Sequence, residues 1–392
     1  MTTIPFAPRV DDHVVEPYRR TLVAGLKASG DLIDPAWEAA VSRVPRHVFL
    51  PRFYDQPAPR TGLWKPVDPV IVGQQAWLEH VYTDATWVTQ FDGHDSWTGE
   101  PAGPAASPTS SSTLPGLLVR MFEHLDVRDG HRLLVVGTGT GYSTALACER
   151  LGAGRVVSVD VDPVLTERAR ARLGAAGYSP TVVSGDGADG WADAAPYDRV
   201  IAFCAFTSVP AAWVSQCHPG AVVVTTITGG LGGFGLVKLT VRDDGTAQGH
   251  VLPDHASFMT ARAQATPRPT DLKTRQGKPT GPSRPVRVTP DVLRDRSFRF
   301  AAQLALPDVI TFDVQDSDGA RSTYIQHVRG DSWARVQRIE EATAVTQGGE
   351  RRLWDELERA YDGWRWAGSP KLERHRVSVT SAGQIISLDD HD

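Results

Sequence analysis

The hydrophobic positions near the start of the chain recur at helical spacing. Tyr18, Leu22 and Leu26 are four positions apart, which places them on one face of a helix. Asp34 comes directly before a proline, an order typical of a helix N-cap followed by proline at the first helical position. The pattern predicts a helical block over residues 9–50.

The next segment, residues 55–110, has no sustained hydrophobic period and is rich in proline, glycine and tryptophan. Its one strand-like run is Thr86–Thr89. Long segments without regular structure are uncommon inside compact domains and usually form lids or binding surfaces. We therefore expect residues 1–110 to combine a helical segment with an irregular substrate lid.

From Leu114 onward, short apolar runs alternate with amphipathic stretches of helical period. Five runs are short enough to be buried strands: LLVV, RVVSVD, TVVS, YDRVIAFCAF and AVVVTTI. Strands that alternate with helices of about 12 residues are typical of a parallel sheet with helices on both faces. The pattern predicts an α/β domain over residues 111–255, with a Rossmann-like, doubly wound and mostly parallel sheet.

The rest of the chain is predicted to be a linker and a second domain. Residues 256–290 are basic and proline-rich, as expected of a linker or long loop. Residues 291–392 are predicted to form a small α+β domain with an amphipathic helix in RRLWDELERAYDGWRWAG and a hairpin-like turn near the C-terminus. The strands predicted in it are Phe298–Leu306, Val309–Val314, Arg321–His327 and a final one at Arg376–Val379.

Composition narrows the class of protein. The chain has 392 residues and a net charge of −5, which argues against a dedicated nucleic-acid partner because such proteins are usually basic. No apolar run approaches the roughly 20 residues needed to span a bilayer. Neither does the N-terminus have the basic and apolar regions of a signal peptide. The three cysteines fit neither a zinc site nor a disulfide framework, so we expect reduced thiols in a cytoplasmic enzyme.

The net charge hides a strong asymmetry. Residues 262–299 contain ten basic and three acidic residues, so this stretch carries +7 and the rest of the chain −12. The stretch is either a solvated hinge kept extended by its charge or an electropositive strip that faces an acidic partner. In the second case, Arg284 and Arg287 are candidate substrate-binding residues.

A glycine loop and two acids carry the clearest chemistry. Gly137, Gly139 and Gly141 follow a buried strand and open a helix, where backbone N–H groups and the helix N-terminus favour a negative group. A dinucleotide fingerprint needs a glycine at position 142, which is Tyr142. The G-x-G-x-G form is instead typical of S-adenosylmethionine sites. The cofactor-binding candidates are Gly137, Thr138, Gly139, Gly141, Tyr142, Asp160, Val161, Asp186 and Gly187.

The two acids follow the next two predicted strands. Asp160 ends one strand, where a carboxylate can accept both ribose hydroxyls, and Asp186 ends the following strand, where it can accept the adenine amino group. The carboxyl ends of parallel strands lie at one edge of a sheet, where ligands bind in open α/β folds. The sequence therefore predicts an S-adenosylmethionine-dependent enzyme.

Four motifs, VGTGTGY, VVSVDVDP, GDGADGW and APYDRVI, resemble in order and spacing those of the protein L-isoaspartate/D-aspartate O-methyltransferase family. The resemblance covers roughly residues 35–240 and implies a class I methyltransferase fold and transfer of a methyl group to a carboxylate. In that family a Ser-x-Pro segment holds the substrate carboxylate. Its equivalent here is Thr113-Leu114-Pro115, preceded by three serines, so the catalytic candidates are Thr113, Ser112 and Ser111.

A narrower resemblance concerns the substrate. The run Trp77–Gly93 and the C-terminal RRLWDELERAYDGW look like a peptide-tailoring branch associated with graspetide or lanthipeptide systems. That branch esterifies an aspartate in a macrocyclised, ribosomally made peptide, and the ester closes to aspartimide. The extra C-terminal domain, which a short repair enzyme lacks, favours this interpretation, with an acidic precursor peptide as the partner. The alternatives are general isoaspartate repair and a non-catalytic, cofactor-binding peptide scaffold.

Carboxylate methylation needs little acid–base catalysis. An aspartate has a pKa near 3.9 and is already ionised at neutral pH, so positioning and exclusion of water are expected to dominate. The twelve histidines form no metal-binding motif, and no metal is expected. The lid would contribute Tyr82, Trp87 and Gln90 as substrate contacts, although local packing explains the two aromatic residues equally well.

Overall fold

The computed structural model describes residues 7–56, 62–94, 97–103, 105–265, 281–315, 319–339 and 342–389. The chain divides into two compact units. The first contains Met1–Cys204, Pro210–Thr225 and Lys238–Ala247, and the second contains Ala205–Val209, Thr226–Val237 and Gln248–Asp392. Among the described residues, no helix is both long and apolar enough to cross a membrane.

The first unit begins with the predicted helical block. The Asp34 carboxylate accepts a hydrogen bond from the Ala36 backbone N–H at 2.8 Å, which confirms the predicted N-cap. Trp37 stacks on Phe122 with ring centroids 4.4 Å apart, so this block packs on the predicted α/β region. The helices are α1 (Asp12–Ala28), α2 (Pro35–Arg43), α3 (Arg46–Phe49) and α4 (Gln74–Val81).

The segment predicted to be irregular contains regular structure. Alongside α4 it forms an antiparallel sheet of order β2-β1-β3-β4, with β1 (Phe53–Asp55), β2 (Lys65–Val67), β3 (Trp87–Phe91) and β4 (Pro108–Ser112). Only β3 overlaps the predicted strand-like run. The strands are three to five residues long and pair across long intervals, as Trp87 does with Ser112, so no local period marks them.

The α/β region confirms the predicted fold class. Strands β5, β6, β7 and β8 are parallel, and β7-β6-β5-β8-β9-β10 are consecutive in a nine-stranded mixed sheet. The elements are α5 (Pro115–Leu125), β5 (Leu133–Val136), α6 (Tyr142–Leu151), β6 (Val156–Asp160), α7 (Pro163–Ala175), β7 (Thr181–Ser184), β8 (Tyr197–Phe206), α8 (Ala211–Ser215), β9 (Cys217–Ile227) and β10 (Gly235–Val241).

The second unit contains an antiparallel sheet of order β12-β16-β15-β14-β13. One face of this sheet packs on two helices through Val309, Ile325, Val336 and Trp354. The helices and strands of the second unit are β11 (Ala247–Val251), β12 (Ser283–Pro285), α9 (Arg296–Ala305), β13 (Val309–Gln315), β14 (Arg321–His327), β15 (Trp333–Ile339), β16 (Ala342–Gly348), α10 (Leu353–Trp366), β17 (His375–Thr380) and β18 (Gly383–Leu388).

One predicted strand of the second unit is wrong. Residues Phe298–Leu306, predicted to be a strand, lie mostly in α9. The Asp295 carboxylate caps this helix by accepting the Phe298 N–H at 2.9 Å. Phe298, Ala302 and Leu306 are buried at intervals of four, so a helical period was present in the sequence.

The other predictions for this unit are partly confirmed. Strands β13, β14 and β17 and helix α10 confirm the segments predicted for them. Strands β15 and β16 were missed, and β17 is not the last strand because β18 pairs with it across the predicted hairpin turn. The second unit therefore has more strands than its local sequence patterns indicate.

Candidate cofactor and substrate site

The glycine loop lies between β5 and α6 and requires glycine on conformational grounds. Gly137, Gly139 and Gly141 have φ angles of 87°, 52° and 94°, in the region that side chains with a Cβ rarely adopt. A Cβ at Gly137 would also lie 3.4 Å from the Phe203 carbonyl carbon. The loop therefore lets the backbone approach both the next strand and a ligand.

The two predicted acids lie at the same edge of the parallel sheet as this loop. Asp160 accepts hydrogen bonds from the backbone N–H groups of Gly139 at 2.9 Å and Asp162 at 3.0 Å. Asp186 follows β7 and accepts the Ala188 N–H at 2.9 Å. Burial, together with the nearby Asp160 and Asp186 carboxylates, raises the pKa of the Cys204 thiol, which is therefore neutral at pH 7.

This arrangement suits S-adenosylmethionine. The positive-φ loop lets the backbone come close to a ligand, and the two acids at the strand ends supply acceptors for hydroxyl and amino groups. The Val161 side chain, 44% exposed beside Asp160, offers apolar surface. The Thr138 and Tyr142 side chains, both 2% exposed, are buried in the protein interior, so they pack beneath the loop and do not face a ligand. The positive-φ turn and the two carboxylate acceptors fit the group.

The serine–threonine cluster lies beside the glycine loop. The Ser111 carbonyl oxygen is 3.5 Å from the position that a Cβ would take at Gly139. Strand alternation divides the cluster: Ser110 and Ser112 are buried, and Ser111 and Thr113 are partly exposed. The Ser110 hydroxyl accepts from Thr89 at 3.0 Å, and that of Ser112 has no hydrogen-bond partner among the described residues. Thus Ser111 and Thr113 are the members with access to a ligand.

Gln90, expected to contact substrate, is 4% exposed. Its side-chain amide donates to the Asp162 carboxylate at 3.0 Å, and its carbonyl accepts from the Thr109 hydroxyl at 2.9 Å. Because the Asp162 N–H donates to Asp160, Gln90 links the N-terminal sheet to the acid of the cofactor site. Its place in the structure is that of a support for the cofactor side of the site.

The two aromatic candidates, Tyr82 and Trp87, are also largely buried, at 5% and 8% exposed. The Trp87 indole N–H donates to the His80 carbonyl at 3.0 Å. The Tyr82 hydroxyl lies 2.9 Å from His47 Nδ1, and burial raises the pKa of Tyr82. Both rings therefore pack the N-terminal region, and only Tyr82 also borders a cavity, described below.

His47 makes stability depend on pH. Burial, reinforced by the positive charge of Arg19, lowers the pKa of His47 to about 4, below the 6.5 of an unfolded histidine. The unfolded state therefore binds more protons between pH 6.5 and 4, and stability is lost as the pH falls through this window. Between pH 7 and 4.5 the free energy of unfolding of the wild type should fall further than that of His47→Gln. We expect the difference between the two falls to be about 2 to 3 kcal/mol.

Urea titrations at the two pH values check this expectation. His218→Gln, which alters an exposed histidine, is the matched control and should retain the wild-type pH dependence. An unchanged pH dependence in His47→Gln would contradict the assignment.

Arg46 is a residue of this region that the sequence reasoning missed. It is fully buried and donates to the carbonyl oxygens of Val81 at 2.7 Å, Thr83 at 2.8 Å, Ala85 at 3.0 Å and Thr113 at 3.4 Å. Its guanidinium thereby links the end of α4 and the loop after it to Thr113 of the serine–threonine cluster. An arginine inside the apolar run VPRHVFLP was the available signal, because such a group is buried only when it is paired.

Arg284 and Arg287 lie in the second unit and are engaged with α10. Arg284 forms ion pairs with Asp355 and, at 2.9 Å, with the buried Glu358. Arg287 pairs with Asp362 at 2.9 Å. Their charges are thus balanced within their own unit. Four further cations of the predicted strip, Arg268, Lys273, Arg275 and Lys278, lie outside the described residues.

Comparisons with known proteins agree with this geometry. A family model described as "Protein-L-isoaspartate(D-aspartate) O-methyltransferase (PCMT)" matches residues 73–254. A protein-L-isoaspartate O-methyltransferase from Ignicoccus hospitalis is 36% identical over 162 residues, which are 41% of this chain and 76% of that protein. The chain belongs to the protein-L-isoaspartate O-methyltransferase family. A relative of the same name from Methanosarcina mazei is 27% identical over 235 residues, 59% of this chain and 78% of that protein.

Membership in the protein-L-isoaspartate O-methyltransferase family makes the chain an S-adenosylmethionine-dependent carboxyl O-methyltransferase. A solved structure named protein-L-isoaspartate O-methyltransferase has the same fold, with a TM-score of 0.54 and 20% identity, covering 95% of this chain and 100% of that chain. At this identity the likeness concerns the fold alone. Among the described residues, no group of His, Cys, Asp and Glu side chains is arranged to hold a metal ion.

Proposed function

We propose that the enzyme methylates L-isoaspartyl carboxylates, the substrate for which its relatives are named, and that it thereby serves general repair of damaged proteins. One observation carries the proposal: the Ser111 backbone lies against Gly139 of the glycine loop. A substrate chain running along the Ser111–Thr113 segment would present its carboxylate at the cofactor loop. The match of the family model, which includes both segments, supports the same substrate class.

The chemistry follows from the ionisation of the substrate. A carboxylate with a pKa near 4 is a nucleophile at neutral pH without a general base. When bound, S-adenosylmethionine supplies an electrophilic methyl group. The chain's own residues orient the two reactants. The Ser111 and Thr113 hydroxyls donate to the substrate carboxylate, and Asp160 and Asp186 hold the cofactor. Arg284 and Arg287 have no role in this proposal.

A second candidate is esterification of an aspartate in a macrocyclised acidic precursor peptide, with later closure to aspartimide. The resemblance of Trp77–Gly93 to the peptide-tailoring branch favours it. Against it, Arg284 and Arg287 are paired within their unit. A third candidate, the non-catalytic scaffold, would bind cofactor and transfer no methyl group.

Labelled methyl transfer separates the three candidates. We expect an isoaspartyl hexapeptide to be methylated and its aspartyl counterpart, identical in mass and charge, to be inert. Methylation of a macrocyclic aspartyl peptide alone, followed by loss of methanol, would overturn the repair proposal in favour of the second candidate. Binding of S-adenosylhomocysteine without transfer to any peptide would favour the scaffold.

A further inference from the structure

A cavity of about 650 Å³ lies between α1 and the end of α4 in the first unit. Its floor is apolar and aromatic, formed by Tyr18, Leu22, Leu26 and Tyr82. The rings of Tyr18 and Tyr82 are stacked with centroids 6.4 Å apart. This volume can accept a large side chain, since side-chain and small-ligand pockets span a few hundred cubic ångströms.

The cavity is rigid on the α4 side. The Tyr82 hydroxyl is held by His47 at 2.9 Å, and the Thr83 carbonyl is held by the buried Arg46 at 2.8 Å. Preformed pockets bind with less loss of conformational entropy than surfaces that must be ordered first. The α4 side of the cavity is therefore formed before any ligand arrives.

The charged side chains that line the cavity are acidic. Glu79 and Asp84 line it, and no lysine, arginine or histidine is among the described residues that do so. Both acids are exposed, so their field reaches an incoming chain. An acidic rim of this kind attracts positive side chains and repels carboxylates.

The loop that forms one wall of the cavity also contacts the residues that follow Thr113. Asp84 accepts the Gly116 N–H at 2.7 Å, and the Thr86 hydroxyl accepts the Leu114 N–H at 3.0 Å. The loop that borders the cavity is thus bonded on its other side to the residues that follow Thr113. Arg46 also donates to both the Thr83 carbonyl, on the cavity wall, and the Thr113 carbonyl, so one guanidinium group joins the cavity wall to the end of the serine–threonine cluster.

We propose that this cavity is a subsite for the substrate polypeptide, which takes an apolar or aromatic side chain close in sequence to the target residue and prefers a neighbouring lysine or arginine. The inference rests on the proposed function for the position of the target residue. The enzyme then prefers substrates with basic and apolar side chains near the target residue. The charge of the basic strip had instead predicted an acidic peptide as the partner.

Gly25 offers a way to fill the cavity. It lines the cavity, and a Cβ there would meet nothing within 4 Å, so the side chain of Gly25→Leu begins in open space beside the cavity. The matched control is Gly174→Leu, in α7, where a Cβ likewise meets nothing and which is not among the cavity-lining residues. Replacing a helical glycine lowers the entropy cost of folding in both variants.

The experiment measures KM for isoaspartyl peptides that differ only in the flanking pair, Phe-Lys, Phe-Glu or Ala-Ala. We expect wild type and Gly174→Leu to prefer Phe-Lys over Ala-Ala by about tenfold, and Gly25→Leu to reduce this preference to twofold or less. Glu79→Gln should weaken the preference for Phe-Lys over Phe-Glu. Absence of a flank preference in wild type, or its persistence in Gly25→Leu, would overturn the subsite.

Calorimetric binding of the same peptides with S-adenosylhomocysteine present separates this inference from the proposed function. If no isoaspartyl peptide is methylated, the repair proposal fails. The cavity is then judged by affinity alone: a flank preference in the dissociation constant that Gly25→Leu abolishes supports the subsite, and equal affinities contradict it.

Discussion

We expect Asp160→Ala to lose at least 100-fold in affinity for S-adenosylhomocysteine and to lose methyl transfer with it. Hydrogen bonds to a charged group contribute about 1.5 to 3 kcal/mol each, and two to ribose hydroxyls correspond to this loss or more. The substitution also removes the acceptor for the Gly139 N–H at 2.9 Å, so the glycine loop loses a contact that holds its shape. Calorimetry and a methylation assay measure the two effects.

Two controls sharpen this test. Asp189→Ala changes an exposed acid close to the same edge of the sheet and should leave binding unchanged. Asp160→Asn keeps an acceptor oxygen and should give an intermediate affinity. Thermal stabilisation of the wild type by S-adenosylhomocysteine, with none from NAD, would complete the assignment. Full affinity in Asp160→Ala would remove Asp160 from the cofactor site.

The second large effect concerns Arg46. We expect Arg46→Met to lower the free energy of unfolding by about 3 to 5 kcal/mol, because the change leaves buried carbonyl groups without a donor. Burial lowers the pKa of Arg46 to about 10, so it stays protonated at pH 7 and its hydrogen bonds are charge-assisted. Chemical denaturation measures the loss.

Arg43→Ala is the matched control, since its side chain is 69% exposed and pairs at the surface with Glu149. It should change stability by less than about 1 kcal/mol. Arg46→Lys retains the charge with fewer donors in a different geometry and should fall between the two. A loss in Arg46→Met no larger than that of Arg43→Ala would show that the four carbonyl contacts contribute little.

The parallel sheet and the cofactor loop were predictable from sequence because their signals are local. Each buried strand is a run of apolar residues, and each glycine with positive φ has a steric reason to be glycine. The helix caps at Asp34 and Asp162 involve N–H groups two or three residues away, so they too are visible in a short window. Asp160 and Asp186 follow from strand ends for the same reason.

Contacts between distant residues were not predictable in this way. The sheet containing β1 to β4 pairs short strands separated by intervals such as that from Trp87 to Ser112. The segment from Phe298, predicted to be a strand, is a helix whose residues Phe298, Ala302 and Leu306 are buried against the rest of its unit. The roles of Gln90 and Arg46 depend on partners up to 72 positions away.

The sequence by itself determined the class of this protein: a methyltransferase fold, a glycine loop that requires glycine, and acids at two strand ends. Only the tertiary structure decided which candidate side chains face a ligand. It placed Gln90, Tyr82 and Trp87 inside the fold and balanced Arg284 and Arg287 with acids of α10. The reason is physical: backbone conformation and strand burial depend on neighbouring residues, whereas exposure and charge pairing depend on which distant residues the fold brings together.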